Sequence, residues 1–302
     1  MNLSTFDIFK NMSPPKGAIH VEGQMLVQLQ QVLLSMWKDV YETCTKNGLD
    51  VYLCGGSCLG AIRHRGFIPW DDDIDISMTR KDYEVFKRVF LQEHPGEYWL
   101  HDPQERHDYG LGLGRIRKIG TVVKNREDFY LDECGACIDI CVVENIPNNV
   151  ILRKIHGFGS MAIGLLLSCR KFARLEKEYL QMADGDRELL KVFKTKIRIG
   201  KLLSFASLDW WTAAWDKWNS LCKNDKSKYV AIPSGRKHYF GETFRRSDLF
   251  PCKEVPFEDA VGKVPANADV YLKAMYGNYM AIPPVDKREV HVVYEFDLGE
   301  AS

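Results

Sequence analysis

Pro69-Trp70-Asp71-Asp72-Asp73-Ile74-Asp75-Ile76 is the stretch that decides the fold of this 302-residue chain. Side chains alternate along a β-strand, so Asp73 and Asp75 point to one side while Ile74 and Ile76 point to a core. Two ionised carboxylates roughly 5 to 7 Å apart repel each other and lose hydration in a central strand. A divalent cation relieves both costs, and oxygen ligands favour Mg²⁺ or Mn²⁺ over zinc. The alternative is an acidic surface turn, which the flanking hydrophobic residues disfavour.

A glycine turn lies just upstream. Val51 to Leu53 predicts a short strand, and Gly55-Gly56-Ser57 predicts a tight turn into a helix. Such a turn lets backbone N–H groups and a hydroxyl approach a phosphate. Followed at this distance by the acidic strand, the pattern is typical of the nucleotidyltransferase fold, in which the turn holds a diphosphate or triphosphate.

That fold needs a third carboxylate on a neighbouring strand. The strand-like run Cys137 to Val143 offers Asp139, one acid among strong β-formers. An isolated buried carboxylate is costly, so Asp139 must have a partner. We predict that it completes the metal site; the alternative is that it pairs with a buried arginine.

These motifs resemble the signature of the LicD family, which includes bacterial phosphocholine transferases and, more remotely, fukutin and the fukutin-related protein. The first and most specific match is Gly55 to Ile76. The resemblance continues through Arg115–Thr121, Ile138–Ile140, Glu144–Pro147, Tyr271-Leu272, Tyr276–Met280, Pro283-Pro284, Lys287-Arg288 and His291. One departure is Cys141-Val142-Val143-Glu144, where the family more often has Phe-Pro-Leu-Asp.

The resemblance implies a metal-dependent transferase that moves phosphocholine from CDP-choline to a sugar hydroxyl of a cell-surface glycan precursor and releases CMP. Asp73, Asp75 and Asp139 would hold one or two Mg²⁺ (or Mn²⁺) ions, and Asp139 would also take the hydroxyl proton. Alternatives are transfer of phosphoethanolamine, phosphoribitol or phosphoglycerol, nucleotidyl transfer, or a non-catalytic binding protein. The last would be expected to lose the carboxylates, and all three are present.

Basic residues are expected to meet the phosphates. Arg63 and His64 follow the glycine turn, and Arg115 and Arg117 share one face of a predicted strand, where an arginine fork suits a diphosphate. For each single arginine an ion pair is the alternative. The match of Lys287, Arg288 and His291 to the family's tail implies that the C-terminus folds back over the site. Choline recognition requires aromatic rings, and the candidates that we prefer are Tyr239-Phe240 and Trp99.

Composition narrows the class of protein. Forty-one Lys and Arg balance forty-one Asp and Glu, so there is no global basic footprint for nucleic acid. The N-terminus lacks the layout of a signal peptide. Nine cysteines in apolar contexts favour reduced thiols in the cytoplasm over disulfides, and Cys134-x-x-Cys137 favours ordinary buried thiols over zinc or redox chemistry.

The predicted fold class is α/β (α+β), a nucleotidyltransferase-like mixed sheet flanked by helices. We divide the chain into an N-terminal arm (1–23), a catalytic core (24–149), a helical insertion (150–228) and a C-terminal part that completes the site (229–302). Periodicity predicts helices over Gln24 to Lys46 and after the cap Thr79-x-x-Asp82. In the insertion, Ile155 to Cys169 is most apolar. It predicts a buried helix or, alternatively, a surface helix that brings the enzyme to a lipid-linked acceptor at the membrane.

Overall fold

A computed structural model describes residues 17–105, 110–126, 128, 130–183, 185–285, 288 and 293–299. It shows a mixed α/β architecture in which helices flank a mixed sheet. The strands are β1 (Val51–Leu53), β2 (Ile74–Thr79), β3 (Tyr98–His101), β4 (Gly114–Lys118), β5 (Val122–Asn125), β6 (Cys137–Asn145), β7 (Tyr229–Ala231), β8 (Thr243–Arg245), β9 (Lys253–Phe257), β10 (Ala260–Val264) and β11 (Val293–Asp297). The helices are α1 (Gln24–Lys46), α2 (Gly55–Arg63), α3 (Arg80–Glu93), α4 (Val150–Arg174), α5 (Glu176–Met182), α6 (Arg187–Leu202), α7 (Leu208–Asn219), α8 (His238–Gly241), α9 (Arg246–Leu249) and α10 (Ala268–Tyr276).

The main sheet has the strand order β1-β2-β6-β4-β3, and β7 and β8 extend it from the far end of β6. The strands β2 and β6 run parallel, with Ile74 opposite Ile138 and Asp75 opposite Asp139. The strand β4 runs antiparallel to β6, with Arg115 opposite Asp139. Two small antiparallel pairs, β9 with β10 and β5 with β11, complete the strands.

This register separates the sheet into two chemically different faces. Six apolar side chains at even-numbered positions of β2, β4 and β6 are fully buried in the core, and the helices α1 and α3 pack over them. These residues are Ile74, Ile76, Met78, Ile116, Ile138 and Ile140. The odd-numbered residues on the opposite face include Asp75, Asp139, Arg115 and Arg117. The acids therefore lie together because their isoleucine neighbours must be buried.

Several elements begin and end where the sequence predicts. The helix α1 spans Gln24–Lys46 with Asn47 as its C-cap, and β4 spans Gly114–Lys118, where the sequence predicts a strand that carries Arg115 and Arg117. Thr79 caps α3, since its side chain accepts a hydrogen bond from the Asp82 amide. The strand β6 begins at Cys137, as predicted, and ends at Asn145, two residues later than predicted.

Four helices, α4 to α7, form the insertion before β7 returns the chain to the sheet. Glycines on α4 allow a close approach to α7: a Cβ at Gly159 would lie 2.1 Å from the Trp218 ring, and one at Gly164 would lie 2.9 Å from Trp215. The indole N–H groups of Trp215 and Trp218 donate to the Ser160 and His156 carbonyls, each at 2.9 Å. One face of α4 is thus fixed to the protein.

The prediction that Ile155 to Cys169 forms a buried helix is wrong for the other face of α4. Only 22% of its most apolar window is buried, although the helix is long and apolar enough by composition to cross a membrane. Leu167 and Cys169 are buried, whereas Ile155 and Phe158 are more than half exposed. Periodicity missed this because apolar residues such as Ile155 and Phe158 lie on the exposed side of α4, whereas the side that packs on α7 carries His156 and Ser160.

Candidate active site

The glycine turn and the acidic strand are in direct contact. Gly55, the first residue of α2, has φ +51°, in the left-handed region that side chains disfavour. A Cβ at Gly55 would lie 2.9 Å from Asp75 Oδ2, and a Cβ at Gly56 would lie 2.9 Å from Asp71 Oδ2. Both glycines are therefore required for the carboxylates to lie against the start of α2.

Ser57 links the same two elements. Its hydroxyl oxygen accepts a hydrogen bond from the Asp75 amide at 2.9 Å, and the side chain is buried. The Cys54 amide also donates to the Asp75 carbonyl at 2.9 Å. The predicted phosphate contact of Ser57 stays a prediction; in the structure, the residue holds the main chain of Asp75 in position.

Asp75 lies in an acidic environment. Burial raises the pKa of its carboxyl group well above the usual value, and the neighbouring acids Asp73, Asp139 and Asp71 raise it further, as does the Cys141 thiol. Several carboxylates thus converge on one half-buried group. Such a set favours either a proton or a cation as its partner.

Asp139 is held by a guanidinium fork. Arg115 Nη2 donates to Asp139 Oδ2 at 2.7 Å, Nε donates to Oδ1, and Arg115 is only 6% exposed. Asp139 therefore pairs with a buried arginine, which was the alternative that the sequence allowed. Two carboxylate oxygens offer about four lone-pair positions, and the fork takes two of them. Asp139 keeps the capacity to bind a cation beside Asp75, its register partner.

The donor set fits a divalent cation. Asp73, Asp75 and Asp139 supply only oxygen atoms, which is the chemistry of Mg²⁺ and Mn²⁺ sites. Among the described residues, the group of three ligand atoms that all lie within 4.8 Å of one another is a different one, Asp39, His94 and Glu97. The three aspartates are spread more widely, as repelling charges are. In that other group, Glu97 already has a cationic partner, because Lys118 pairs with it at 3.1 Å.

Arg117 is held in a buried ion pair. It shares a face of β4 with Arg115, as predicted, but its guanidinium is fully buried and pairs with the fully buried Asp128 at 2.5 Å. A second bond reaches the Gly135 carbonyl at 3.4 Å. The phosphate-binding role predicted for Arg117 finds no support in this geometry. The ion pair that was the alternative is what the structure shows, because β4 places Arg117 under the loop that carries Asp128.

Arg63 and His64 connect α2 to the C-terminal part of the chain. Arg63 Nη1 donates to the Tyr279 carbonyl at 2.7 Å and to the Ala281 carbonyl at 3.3 Å, and Nε donates to His64 Nε2 at 2.9 Å. Burial lowers the pKa of His64, and the charge of Arg63 lowers it further, which favours the neutral ring. Arg63 therefore acts in the structure as a clamp on residues 279–281.

The described part of the tail lies beside the acidic loop. The guanidinium of Arg288 stacks on the Trp70 ring, 3.9 Å from its centre, and His64 contacts the same ring edge-on at 6.3 Å. This position agrees with the expected return of the C-terminus to the site. The other two predicted tail residues, Lys287 and His291, lie outside the described residues.

Residues that no sequence pattern singled out support the site from the C-terminal part. Tyr271 is buried, and its hydroxyl oxygen accepts a hydrogen bond from the Gly55 amide at 2.9 Å. Tyr276 lies within electrostatic reach of Asp75 and Asp71, and burial raises its pKa. Glu242 is buried within reach of Tyr271, and burial raises the pKa of its carboxyl group to about 7. The sequence pointed to the two tyrosines only through their positions in motifs that resemble those of the family, and it gave no indication of Glu242.

Tyr239 lies in a buried position that does not suit the predicted choline contact. Its ring is fully buried, and its hydroxyl lies 3.0 Å from His156 Nδ1, between β7 and α4. Phe240 is 46% exposed but packs edge-on against Phe158 of α4, with ring centres 5.2 Å apart. The pair belongs to the contact between insertion and sheet. Trp99 remains a prediction; it lies opposite Arg117 on β3.

Sequence comparisons find known proteins that are similar to this chain. The sequence profile described as "LicD/FKTN/FKRP, nucleotidyltransferase domain" matches residues 48–110, which hold the glycine turn and the acidic strand. The lipopolysaccharide cholinephosphotransferase LicD of Haemophilus influenzae is 42% identical over 281 residues, covering 89% of this chain and 97% of that protein. An uncharacterised protein of Rickettsia prowazekii is 39% identical over 135 residues, covering 45% of this chain and 40% of its own.

Proposed function

The chain belongs to the LicD family, and from this premise we propose that it transfers phosphocholine from CDP-choline to a sugar hydroxyl of a cell-surface glycan and releases CMP. It is a transferase of phosphate-containing groups. The observation that carries the proposal is the identity of 42% to a lipopolysaccharide cholinephosphotransferase over nearly the whole of both chains. Its nine free thiols are typical of a cytoplasmic protein, and we include that location in the proposal.

The site geometry supports phosphoryl transfer. The start of α2 carries the partial positive charge of a helix N-terminus, and Asp75 and Asp71 lie against it. Asp73, Asp75 and Asp139 are the residues that would hold a divalent cation. Bound there, the ion would neutralise the diphosphate of the donor and the charge that develops during transfer.

The chain's own residues perform the remaining steps of the proposed reaction. The acceptor hydroxyl oxygen forms a bond to the phosphorus that carries choline, and the bond from that phosphorus to the CMP oxygen breaks. Asp139 takes the hydroxyl proton, since its carboxylate is held in one direction by Arg115. Residues 279–281, clamped by Arg63, and Arg288 on Trp70 close the site from the C-terminal side.

Product analysis tests the proposal. The protein is incubated with Mg²⁺, lipopolysaccharide and CDP-choline, CDP-ethanolamine, CDP-ribitol or CDP-glycerol, and CMP is measured with the mass of the modified glycan. We expect CMP and a phosphocholine adduct, with loss of both in EDTA and in Asp139→Asn. Asp259→Asn, on the surface beside Lys38, is the matched control and keeps full activity.

Other outcomes would overturn the proposal in distinct ways. Equal or better use of another CDP-alcohol would replace choline as the transferred group. Release of pyrophosphate from a nucleoside triphosphate, with a nucleotide left on the acceptor, would instead establish nucleotidyl transfer. Full turnover in EDTA would remove the metal from the mechanism.

A further inference from the structure

One face of α4 carries a stripe of exposed apolar side chains. Ile151, Ile155, Phe158 and Leu165 are 65%, 58%, 66% and 40% exposed. Their spacing of four, three and seven residues places them on one side of the helix. The stripe extends about 21 Å along the helix axis, at 1.5 Å per residue. Isolated exposed apolar residues are ordinary, but a continuous stripe of this length marks a surface that has a partner.

A second group of exposed apolar residues adjoins the end of this stripe. Phe205 is 75% exposed and Trp210 is 53% exposed, in the loop before α7 and in its first turn. The loop packs on α4: Arg170 Nε donates to the Ala206 carbonyl at 3.2 Å. Leu166 of α4, Ala206 and the partly buried Leu203 share one apolar cluster. The stripe and this loop therefore form one surface.

The opposite face of α4 rules out a membrane-spanning role in this fold. His156 and Ser160 are buried there, and their carbonyls accept bonds from two indoles of α7. A helix crossing a bilayer would have to abandon these contacts and expose polar groups to lipid. The helix instead lies on the surface of the protein with one side outward.

The positive charge of the insertion indicates a partner with a negatively charged surface. Residues 150–228 contain sixteen Lys and Arg against eight Asp and Glu, whereas the whole chain is balanced at forty-one of each. The insertion thus has a net charge of +8 and the rest of the chain −8. Lys154 is exposed beside the stripe, and Lys201 is exposed beside Leu202, itself 80% exposed. An apolar stripe with a basic border matches a surface of anionic lipids.

We propose that this surface, formed by Ile151, Ile155, Phe158, Leu165, Phe205 and Trp210, binds the surface of an anionic membrane. The axis of α4 lies parallel to the bilayer, the apolar side chains enter the boundary between headgroups and acyl chains, and the lysines contact lipid phosphates. A second copy of the chain is a poorer partner, because two insertions of charge +8 repel each other. The surface is independent of the reaction at the sheet.

Sedimentation with lipid vesicles tests this proposal on the full-length protein. One set of vesicles contains phosphatidylglycerol and phosphatidylethanolamine, and the other contains phosphatidylcholine alone. We expect binding to the anionic vesicles that weakens with added salt, and little binding to the neutral ones. The triple variant Ile151→Ser/Ile155→Ser/Phe158→Ser should bind at least about tenfold more weakly.

A matched control separates membrane binding from a general change in hydrophobicity. Val27→Ser/Leu91→Ser removes exposed apolar side chains from α1 and α3 and should bind vesicles like the unmodified protein. Trp210 fluorescence should shift to shorter wavelength on binding, and Trp210→Phe should lose that part of the change. Thermal unfolding checks that each variant is folded.

Three results would overturn the proposal: no binding of the unmodified protein to anionic vesicles, an equal loss in the control variant, or a dimer in solution that the triple variant converts to monomer. The last would identify the surface as a contact between copies. None of these measurements requires turnover, so they leave the proposed transferase reaction untouched.

Discussion

Replacing Gly55 by alanine tests whether the glycine turn positions Asp75. The φ of +51° at Gly55 costs an alanine about 1 to 2 kcal/mol. The new Cβ would lie 2.9 Å from Asp75 Oδ2, whereas ordinary contact begins at 3.4 Å, so the carboxylate must move by about 0.5 Å. A misplacement of 1 Å can cost about 10² in rate, so this shift should cost about tenfold.

Two other glycines separate the backbone cost from the contact. Gly48 has φ +64° and nothing within 4 Å of a Cβ, so Gly48→Ala has the backbone penalty alone. Gly56 is not in the left-handed region, and a Cβ there would lie 2.9 Å from Asp71 Oδ2, so Gly56→Ala has the contact alone. We expect both Gly55→Ala and Gly48→Ala to lose thermal stability, about 2 to 4 °C for each kcal/mol, and Gly55→Ala to lose at least as much as Gly48→Ala because it has the contact as well. Only Gly55→Ala and Gly56→Ala should lose activity.

The assays are the rate of CMP release and the rise in melting temperature on adding Mg²⁺. The metal-induced rise should shrink in Gly55→Ala and stay unchanged in Gly48→Ala. Equal activity of these two variants would refute the reasoning, because the carboxylate would then tolerate the displacement. So would a loss in Gly48→Ala as large as that in Gly55→Ala, since stability alone would explain it.

Three further predictions concern charged groups. Burial and neighbouring acids raise the pKa of Asp75, so without metal the ionisation of this carboxyl group destabilises the fold as pH rises above about 4. In EDTA at neutral pH, Asp75→Asn should therefore melt at a higher temperature than the unmodified protein, and it should lose both turnover and the rise in melting temperature that Mg²⁺ causes. A lower melting temperature of this variant in EDTA would contradict the reasoning. Arg115→Lys replaces the fork on Asp139 with a single contact, so kcat should fall at least about tenfold with a smaller change in KM, and unaltered steady-state kinetics would argue against the fork. Burial raises the pKa of Glu242 from 4.5 to about 7, so the free energy of unfolding should decrease by on the order of 3 kcal/mol as the pH rises between these values. The decrease should be smaller in Glu242→Gln. If urea unfolding gives parallel pH profiles for the two proteins, another group is responsible.

Local patterns predicted those parts of the fold whose cause is local. The alternation Asp73-Ile74-Asp75-Ile76 determines which face of β2 is buried. Ile138-Asp139-Ile140 does the same for β6, so Asp75 and Asp139 had to meet if the strands paired. The cap at Thr79 and the stripe of α1 depend on residues three and four apart. In each of these elements the apolar residues lie on one face, so the sequence pattern alone shows which face is buried.

Other features depend on partners far along the chain. The alternation of β4 gave the same prediction for Arg115 and Arg117, and only the loop carrying Asp128 distinguishes them. The burial of Tyr239 depends on His156, 83 residues away. The exposed side of α4 could not be predicted because its apolar residues face outward and its covered face carries His156 and Ser160, and only the tertiary structure shows that α7 covers that face. The metal ligation and the choline contact remain predictions.

The bond from Gly55 to Tyr271 has a consequence for synthesis of the protein. Its two residues are 216 positions apart, and so are Arg63 and Tyr279. A ribosome adding 5 to 20 residues per second needs about 10 to 40 s to cover that interval. During this time the acidic strand can pair with β1, but its supports from the C-terminal part do not yet exist. A nascent or truncated chain is thus expected to hold its aspartates without a working site, and activity to appear only after the last quarter has folded.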